Sequence, residues 1–224
     1  MAHQFPKIIW QTHNYKQKWL PDHLKCVSSA WINLNPGWDY RYVDQVQRDE
    51  TVKKYTQIYE VYQYQPPSIQ SDIWRFIITY EEGGCYADMD SVPTVPLDYM
   101  IETIGQDPEM ITVPLYQDQG NTHNFIVKNN SDIMKEIVAK MNGWAQESQT
   151  DPHFSKFQPF KFFIKIAYSL DHYDKVSKRF EVKHSEDYKD AFLTDKYSVN
   201  DYGNIIQYED FVKDKGLKLM YDFD

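Results

Sequence analysis

The stretch "SDIWRFIITYEEGGCYADMDSVP", Ser71 to Pro93, joins a dense apolar pattern to two glycines and then to two aspartates one residue apart. At helical spacing, Ile69, Ile73, Trp74, Phe76, Ile77, Ile78 and Tyr80 cover most of the circumference of a helix running from Ser68 to about Glu82. Such a helix is buried on nearly every side. Its narrow remaining arc carries Ser71, Asp72, Arg75, Thr79 and Glu82, so Asp72 and Arg75, three apart, share one polar strip. Gly83 and Gly84 end the helix, because glycine takes the left-handed cap conformation without a Cβ clash. "CYADMDSV" then alternates as a short strand does and brings Asp88 and Asp90 to its end. The carboxyl end of a strand is where α/β sheets place ligand sites.

In extended backbone, residues i and i+2 point the same way, so Asp88 and Asp90 converge while Met89 turns into the protein. Two convergent carboxylates repel unless a cation lies between them. Mg²⁺ and Mn²⁺ take oxygen ligands and commonly combine one or two carboxylates with substrate phosphates and water. Plainer readings stand beside these. An Asp-x-Asp arises in solvated loops, and Asp72 with Arg75 is also a simple intrahelical ion pair.

The rest of the chain sets the frame. With 224 residues and ordinary globular composition, one compact domain over residues 1–224 is expected. Net charge is −9 without any basic run, which argues against a nucleic-acid backbone or an anionic membrane surface as partner. An anionic ligand on such a chain needs a local answer, such as a metal. The start "MAHQFPKIIW" lacks a signal-peptide pattern and no stretch is long enough for a membrane span, so a soluble cytoplasmic protein is expected. Cys26 and Cys85 have no ligand spacing and read as reduced small hydrophobes, with a single disulfide as the alternative.

"KIIWQTH" (Lys7 to His13) reads as a buried first strand feeding a loop, and Leu24, Val27, Trp31 and Leu34 as a helix that "NPG" ends. "WDYRYVD" alternates as a second strand, followed by one polar, Tyr-rich helical stretch from Val46 to about Tyr64. Pro66 and Pro67 stop it and open the next helix. Beyond the aspartates, "EMITVPLY" and "NTHNFIVKN" read as strands and Ser131 to Trp144 as an amphipathic helix. A further helix is expected around Phe160 to Leu170, and a strand near Phe180 to Lys183. Strand, loop and helix in alternation is an α/β pattern.

Taken in order, "FPKIIWQTH", "W…LNPGWDYRYVD" and "SDIWRFIITYEEGGCYADMDSVPTVPLD" resemble the family 32-like glycosyltransferases. These share a DxD sugar-binding region among yeast-type α-mannosyltransferases, capsular polysaccharide enzymes and the large clostridial glucosylating toxins. The likeness spans roughly the first hundred residues and weakens beyond Leu97. It implies a GT-A fold, Rossmann-like, with a mixed central sheet flanked by helices. It also implies a nucleotide-diphosphate sugar donor, Mn²⁺ or Mg²⁺, and transfer with retention to a glycan, glycoprotein or other hydroxyl acceptor, as in polysaccharide biosynthesis, with UDP preferred over GDP.

Carried over by position, Asp90 matches the direct metal ligand and Asp88 the residue contacting ribose and metal. Asp72 and Arg75 match the pair that grips the donor sugar. Trp10, Gln11 and Thr12 match the segment holding the base, with an aromatic available for stacking, and Asn124 falls where an asparagine lies near the transferred sugar. The chain departs from the pattern in two places. The first strand ends with Trp10 and His13 where the family has I-H-Q-T-W, and the C-terminal loop that completes the metal site is not recognisable. His184 in "KHSEDY" is the candidate third ligand, against the plain reading of a surface histidine; His123, His153 and His172 have no ligand spacing and carry no assignment.

Two other functions fit parts of the pattern. "DMDSV" also matches the start of a haloacid-dehalogenase-type phosphatase, but "GGCYA" is a poor buried strand and the later Asp210 and Asp214 lack the glycine of that chemistry's acidic motif. A non-catalytic nucleotide-sugar-binding protein would keep Asp72, Arg75, Asp88 and Asp90 as they stand.

Overall fold

The computed structural model describes residues 5–104, 108–116 and 119–150, together with the backbone of four short strands further on. The chain runs β1 (Ile8–Thr12), α1 (Asp22–Leu34), β2 (Asp39–Val43), α2 (Gln45–Lys53), α3 (Thr56–Tyr62), α4 (Pro67–Glu82) and β3 (Gly84–Ala87). There follow β4 (Val92–Pro93), α5 (Leu97–Ile104), β5 (Met110–Tyr116), β6 (Gln119–Val127), α6 (Asp132–Thr150) and β7 (Val182–His184). The strands β8 (Phe192–Leu193), β9 (Tyr197–Val199) and β10 (Ile205–Gln207) complete the described elements.

The central sheet has the order β2-β1-β3-β6-β5-β7. β1 runs parallel to both β2 and β3, whereas β6 lies antiparallel between β3 and β5, so the sheet is mixed. The fold is therefore α/β, as expected. β2 lies on one side of β1 and β3 on the other, so the chain leaves β1 in opposite directions. The crevice outside the carboxyl ends of β1 and β3 is thus a topological switch point, the usual ligand position of such sheets.

Strand alternation sorts the core into two layers. Trp10, Tyr86, Phe125 and Val127 pack against α4 and α6, and Ile9, Cys85, Ala87, Ile111 and Ile126 lie on the other face with Val27, Trp31 and Met100. α4 is buried nearly all round, Ile73, Trp74 and Ile77 completely. Pro67 occupies its first turn, where the missing N–H costs nothing. Both cysteines are free thiols.

Two expectations are revised, and one helix is added. The stretch from Val46 to Tyr64 is two helices, because the backbone opens at Tyr55 (φ −106°, ψ 76°). Val52 and Ile58 are both fully buried, and the bend lets α2 lie on α4 while α3 packs on α6. A capping box at Asp44 and Gln47 gives α2 its own start. The strand after the glycines stops at Ala87, and α5 occupies a segment read without structure. The helix expected around Phe160 to Leu170 lies outside the described residues.

Gly83 and Gly84 both hold positive φ, 66° and 97°. A Cβ on Gly84 would sit 2.7 Å from the carbonyl oxygen of Ile8 on the neighbouring strand. Gly84→Ala therefore adds a backbone clash to strain that alone costs about 1–3 kcal/mol, and urea unfolding monitored by tryptophan fluorescence should show a loss at least that large.

Candidate functional site

At the crevice, Asp88 follows β3 directly and its carboxylate is enclosed by polar groups. Tyr86 Oη donates to Oδ1 (2.6 Å), His123 Nδ1 lies 2.6 Å from Oδ2, and Arg75 Nη2 is 3.6 Å from Oδ1. The backbone is pinned as well: Asp88 N–H donates to His123 O (2.9 Å), and Gln11 Nε2 donates to Asp88 O (3.0 Å), joining the ends of β1 and β3. Burial alone would raise the Asp88 pKa, but the Arg75 charge and the His123 and Tyr86 hydrogen bonds outweigh it and hold the carboxyl below its usual value.

Arg75 lies beneath this carboxylate and is 4% exposed. Its guanidinium pairs with Asp72 Oδ1 and stacks on the Tyr86 ring, 4.6 Å from the centroid. Burial opposes its charge, yet Asp88, Tyr86 and Asp72 together raise its pKa further. Asp72 is shifted the other way: desolvation lifts its pKa, and the repulsion of Asp88 adds to this against the attraction of Arg75. One buried cation thus serves two carboxylates that face the crevice, each about one-fifth exposed.

Asp90 differs from the strand expectation. Ser91 N–H donates to Asp88 O (3.1 Å), closing a turn over Met89 and Asp90. Met89 is buried against Leu20 and Leu24, as alternation expects, while Asp90 is exposed. The two aspartates therefore flank a turn, with one carboxylate enclosed and the other at the surface.

As for a divalent cation, no group of three His, Cys, Asp or Glu side chains stands ready to hold one among the described residues. Two carboxylates suffice where substrate phosphates and water supply the remaining oxygens. The ionised Asp88 beside the exposed Asp90 matches that donor chemistry, so the residues fit Mn²⁺ or Mg²⁺.

The other expected residues divide. Trp10 is a core residue: its ring meets Trp74 edge-on at 6.1 Å, Arg41 covers it, and Nε1 donates to Gly83 O (2.9 Å). No face is left to stack on a base, and the ring belongs to the α4 layer. Gln11 and Thr12 are buried at the end of β1, Gln11 bound to Asp88 O and Tyr40, and Thr12 donating to Val43 O (2.7 Å). Asn124 is fully buried, and among the described residues neither Nδ2 nor Oδ1 has a partner. It pairs with Ala87 on β3, and alternation puts it on the face opposite His123. His184 ends β7 in register with Thr112, hence in the row of Phe125 and Tyr86 and three strands from β3. At ~4.8 Å per strand that is about 14 Å across the sheet, remote from Asp90; its side chain lies outside the described residues.

Two members were not found from sequence. Tyr86 reads as a core aromatic, and His123 comes to Asp88 only through the antiparallel pairing of β6 with β3, which no spacing reveals.

The His123–Asp88 contact has a signed pH effect. The hydrogen bond to Asp88 raises the His123 pKa against burial, so its contribution is complete below 6.5 and lost as pH rises through the higher folded value. Asp88, with a lowered pKa, contributes above 3.8 and loses that as pH falls through its folded value. His123 is 45% exposed, which limits the pair to under about 1 kcal/mol. In chelator, His123→Gln should lose the fall in Tm that the parent shows from about pH 6.5 to 8, a difference of a few degrees at most by calorimetry.

Residues 21–111 match the family described as "Glycosyltransferase sugar-binding region containing DXD motif". The initiation-specific alpha-1,6-mannosyltransferase of Candida albicans is 33% identical over 104 residues, covering 43% of this chain and 27% of that one. Inositol phosphoceramide mannosyltransferase 3 of Schizosaccharomyces pombe is 31% identical over 90 residues, covering 38% and 24%. The chain spans about a quarter of the length of the curated relatives it matches. The ligand-free glycosyltransferase domain of the YGT toxin shares the fold, with a TM-score of 0.52 at 9% identity over 78% of this chain and 72% of that one.

Proposed function

We propose, from the DXD sugar-binding region matched by residues 21–111, that this chain is a single-domain, metal-dependent glycosyltransferase. It moves a hexose from a nucleotide-diphosphate sugar to a glycan or other hydroxyl acceptor with retention, and UDP is preferred over GDP. The observation that carries the reading is the Asp88 carboxylate, kept ionised by Arg75 and His123 beside the exposed Asp90 at the switch point.

Asp90, with Asp88 beside it, would hold Mn²⁺ or Mg²⁺, which when bound supplies a Lewis acid for the charge developing on the departing diphosphate. Asp88 also accepts from the ribose, with Tyr86 and His123 fixing its orientation. Asp72 accepts from sugar hydroxyls at the mouth. Arg75 lies against both carboxylates from beneath, as a positioning residue. Gln11 and Thr12 line the base end, and Asn124, whose amide has unfilled hydrogen-bonding capacity, is the candidate contact to the transferred sugar. Preorganised charges of this kind act without reorganisation during the reaction.

Hydrolysis of UDP- and GDP-sugars with Mn²⁺, read beside calorimetric binding of the same donors, tests the assignment. Metal-dependent turnover of one donor series is expected. Tight binding without turnover would leave a nucleotide-sugar-binding protein, and no binding of either series would overturn the reading. Among the described residues no helix is long and apolar enough to cross a membrane, and a water-soluble assay suits the chain.

A further inference from the structure

The largest charged side chain that the site above does not use is Arg48, which is on α2 and 0% exposed. Its Nη1 donates to Ser71 Oγ (2.6 Å) and Thr12 Oγ1 (3.3 Å), and its Nη2 donates to Asn14 Oδ1 (2.5 Å). Nε has no partner. Every one of these acceptors is neutral, and among the described residues no carboxylate forms an ion pair with it. A buried guanidinium without a counter-ion is costly, and an apolar side chain of similar volume would fill the space more cheaply. The burial therefore needs a reason beyond packing.

The reason lies in what the three acceptors are. Thr12 is the last residue of β1, Asn14 lies in the loop that leaves the switch point, and Ser71 immediately precedes Asp72 on α4. One rigid fork joins the wall at the end of β1 to the helix that carries Asp72 and Arg75. Thr12 uses its proton on Val43 O, so its oxygen is left to accept from Arg48. Two hydroxyls and an amide are thereby oriented by a single planar donor, which the point charge of a lysine cannot do.

We infer that Arg48 is a positioning residue for donor binding: it ties the loop after β1 to α4 and so fixes the spacing between the base end and the sugar end of the crevice. This inference rests on the donor reading above, but its structural half is testable without any ligand.

The test uses the full chain and two variants. Arg48→Lys keeps charge and loses the fork. Asn14→Ala leaves the guanidinium and its other acceptors in place, and keeps the question answerable should Arg48→Lys fail to fold. In the ligand-free protein, amide exchange across residues 13–16 should speed by about tenfold or more in either variant, with β3 and α4 unchanged. With Mn²⁺ present, UDP or GDP should bind about tenfold more weakly, and KM for donor hydrolysis should rise while kcat stays within about threefold.

Unchanged loop exchange overturns the tether. A loosened loop with unchanged nucleotide affinity overturns the role in donor binding, as does a fall in kcat at constant KM. If the parent protein binds neither UDP nor GDP, the donor reading fails by itself, and loop exchange alone decides whether Arg48 holds the loop to α4.

Discussion

Asp90→Ala is expected to abolish metal-dependent donor binding and to lower donor hydrolysis by at least about 10²-fold, the scale on which loss of one preorganised electrostatic group is felt. Its stability should hardly change, because Asp90 is exposed on a turn and such substitutions usually fall within about ±0.5 kcal/mol. This contrast makes the variant informative. Calorimetric titration of UDP with and without Mn²⁺, beside a thermal melt, separates lost function from lost fold. Near-normal turnover in Asp90→Ala would refute its assignment as the metal ligand.

Arg75→Ala should do the opposite, harming fold and function together. The guanidinium is buried between Asp72, Asp88 and the Tyr86 ring, so its removal takes the paired cation from Asp72 and leaves Asp88 with His123 alone, in a poorly solvated place. Breaking such a pair typically costs about 3–5 kcal/mol. The loss should be largest near neutral pH. On acidification, Asp72, whose pKa is already raised by burial, takes up a proton first, and Asp88 does so next once Arg75 no longer holds its pKa down. Denaturant unfolding of parent and variant at pH 7.5 and 5 should therefore show the gap narrowing. An equal gap at both pH values would mean that Arg75 stabilises through packing on Tyr86 and not through charge. Donor affinity should fall as well, since Asp88 loses one of the three groups that hold its carboxylate, with Tyr86 and His123 left in place.

The two variants differ because Asp90 and Arg75 occupy different depths. From the sequence, Asp72 and Arg75 form one polar strip, and nothing in a helical projection tells which of them meets solvent. The same limit applies to Trp10, an aromatic at the end of a strand where a base could stack, which the Trp74 ring and the Gly83 carbonyl take into the core. Arg48 shows it most clearly. Its segment is polar and weakly patterned, so it reads as a solvated face, yet the bend at Tyr55 folds α2 onto α4 and buries the charge completely.

The sequence alone determined the features that local periodicity and backbone chemistry dictate. A helix apolar on nearly every side must be buried, Gly-Gly must end it because the chain there needs positive φ, and alternation must turn Met89 inward. From these came the α/β class, most of the succession of elements to β6, and the D-x-x-R, G-G and D-x-D spacing that carries the family resemblance. Only the tertiary structure decided which side chains meet across elements: His123 on Asp88, Arg75 beneath two carboxylates, Arg48 joining β1 to α4. The physical reason is that periodicity assigns a face and an order, whereas charge pairing depends on strand register and helix depth. Those are set by long-range packing that no single segment encodes.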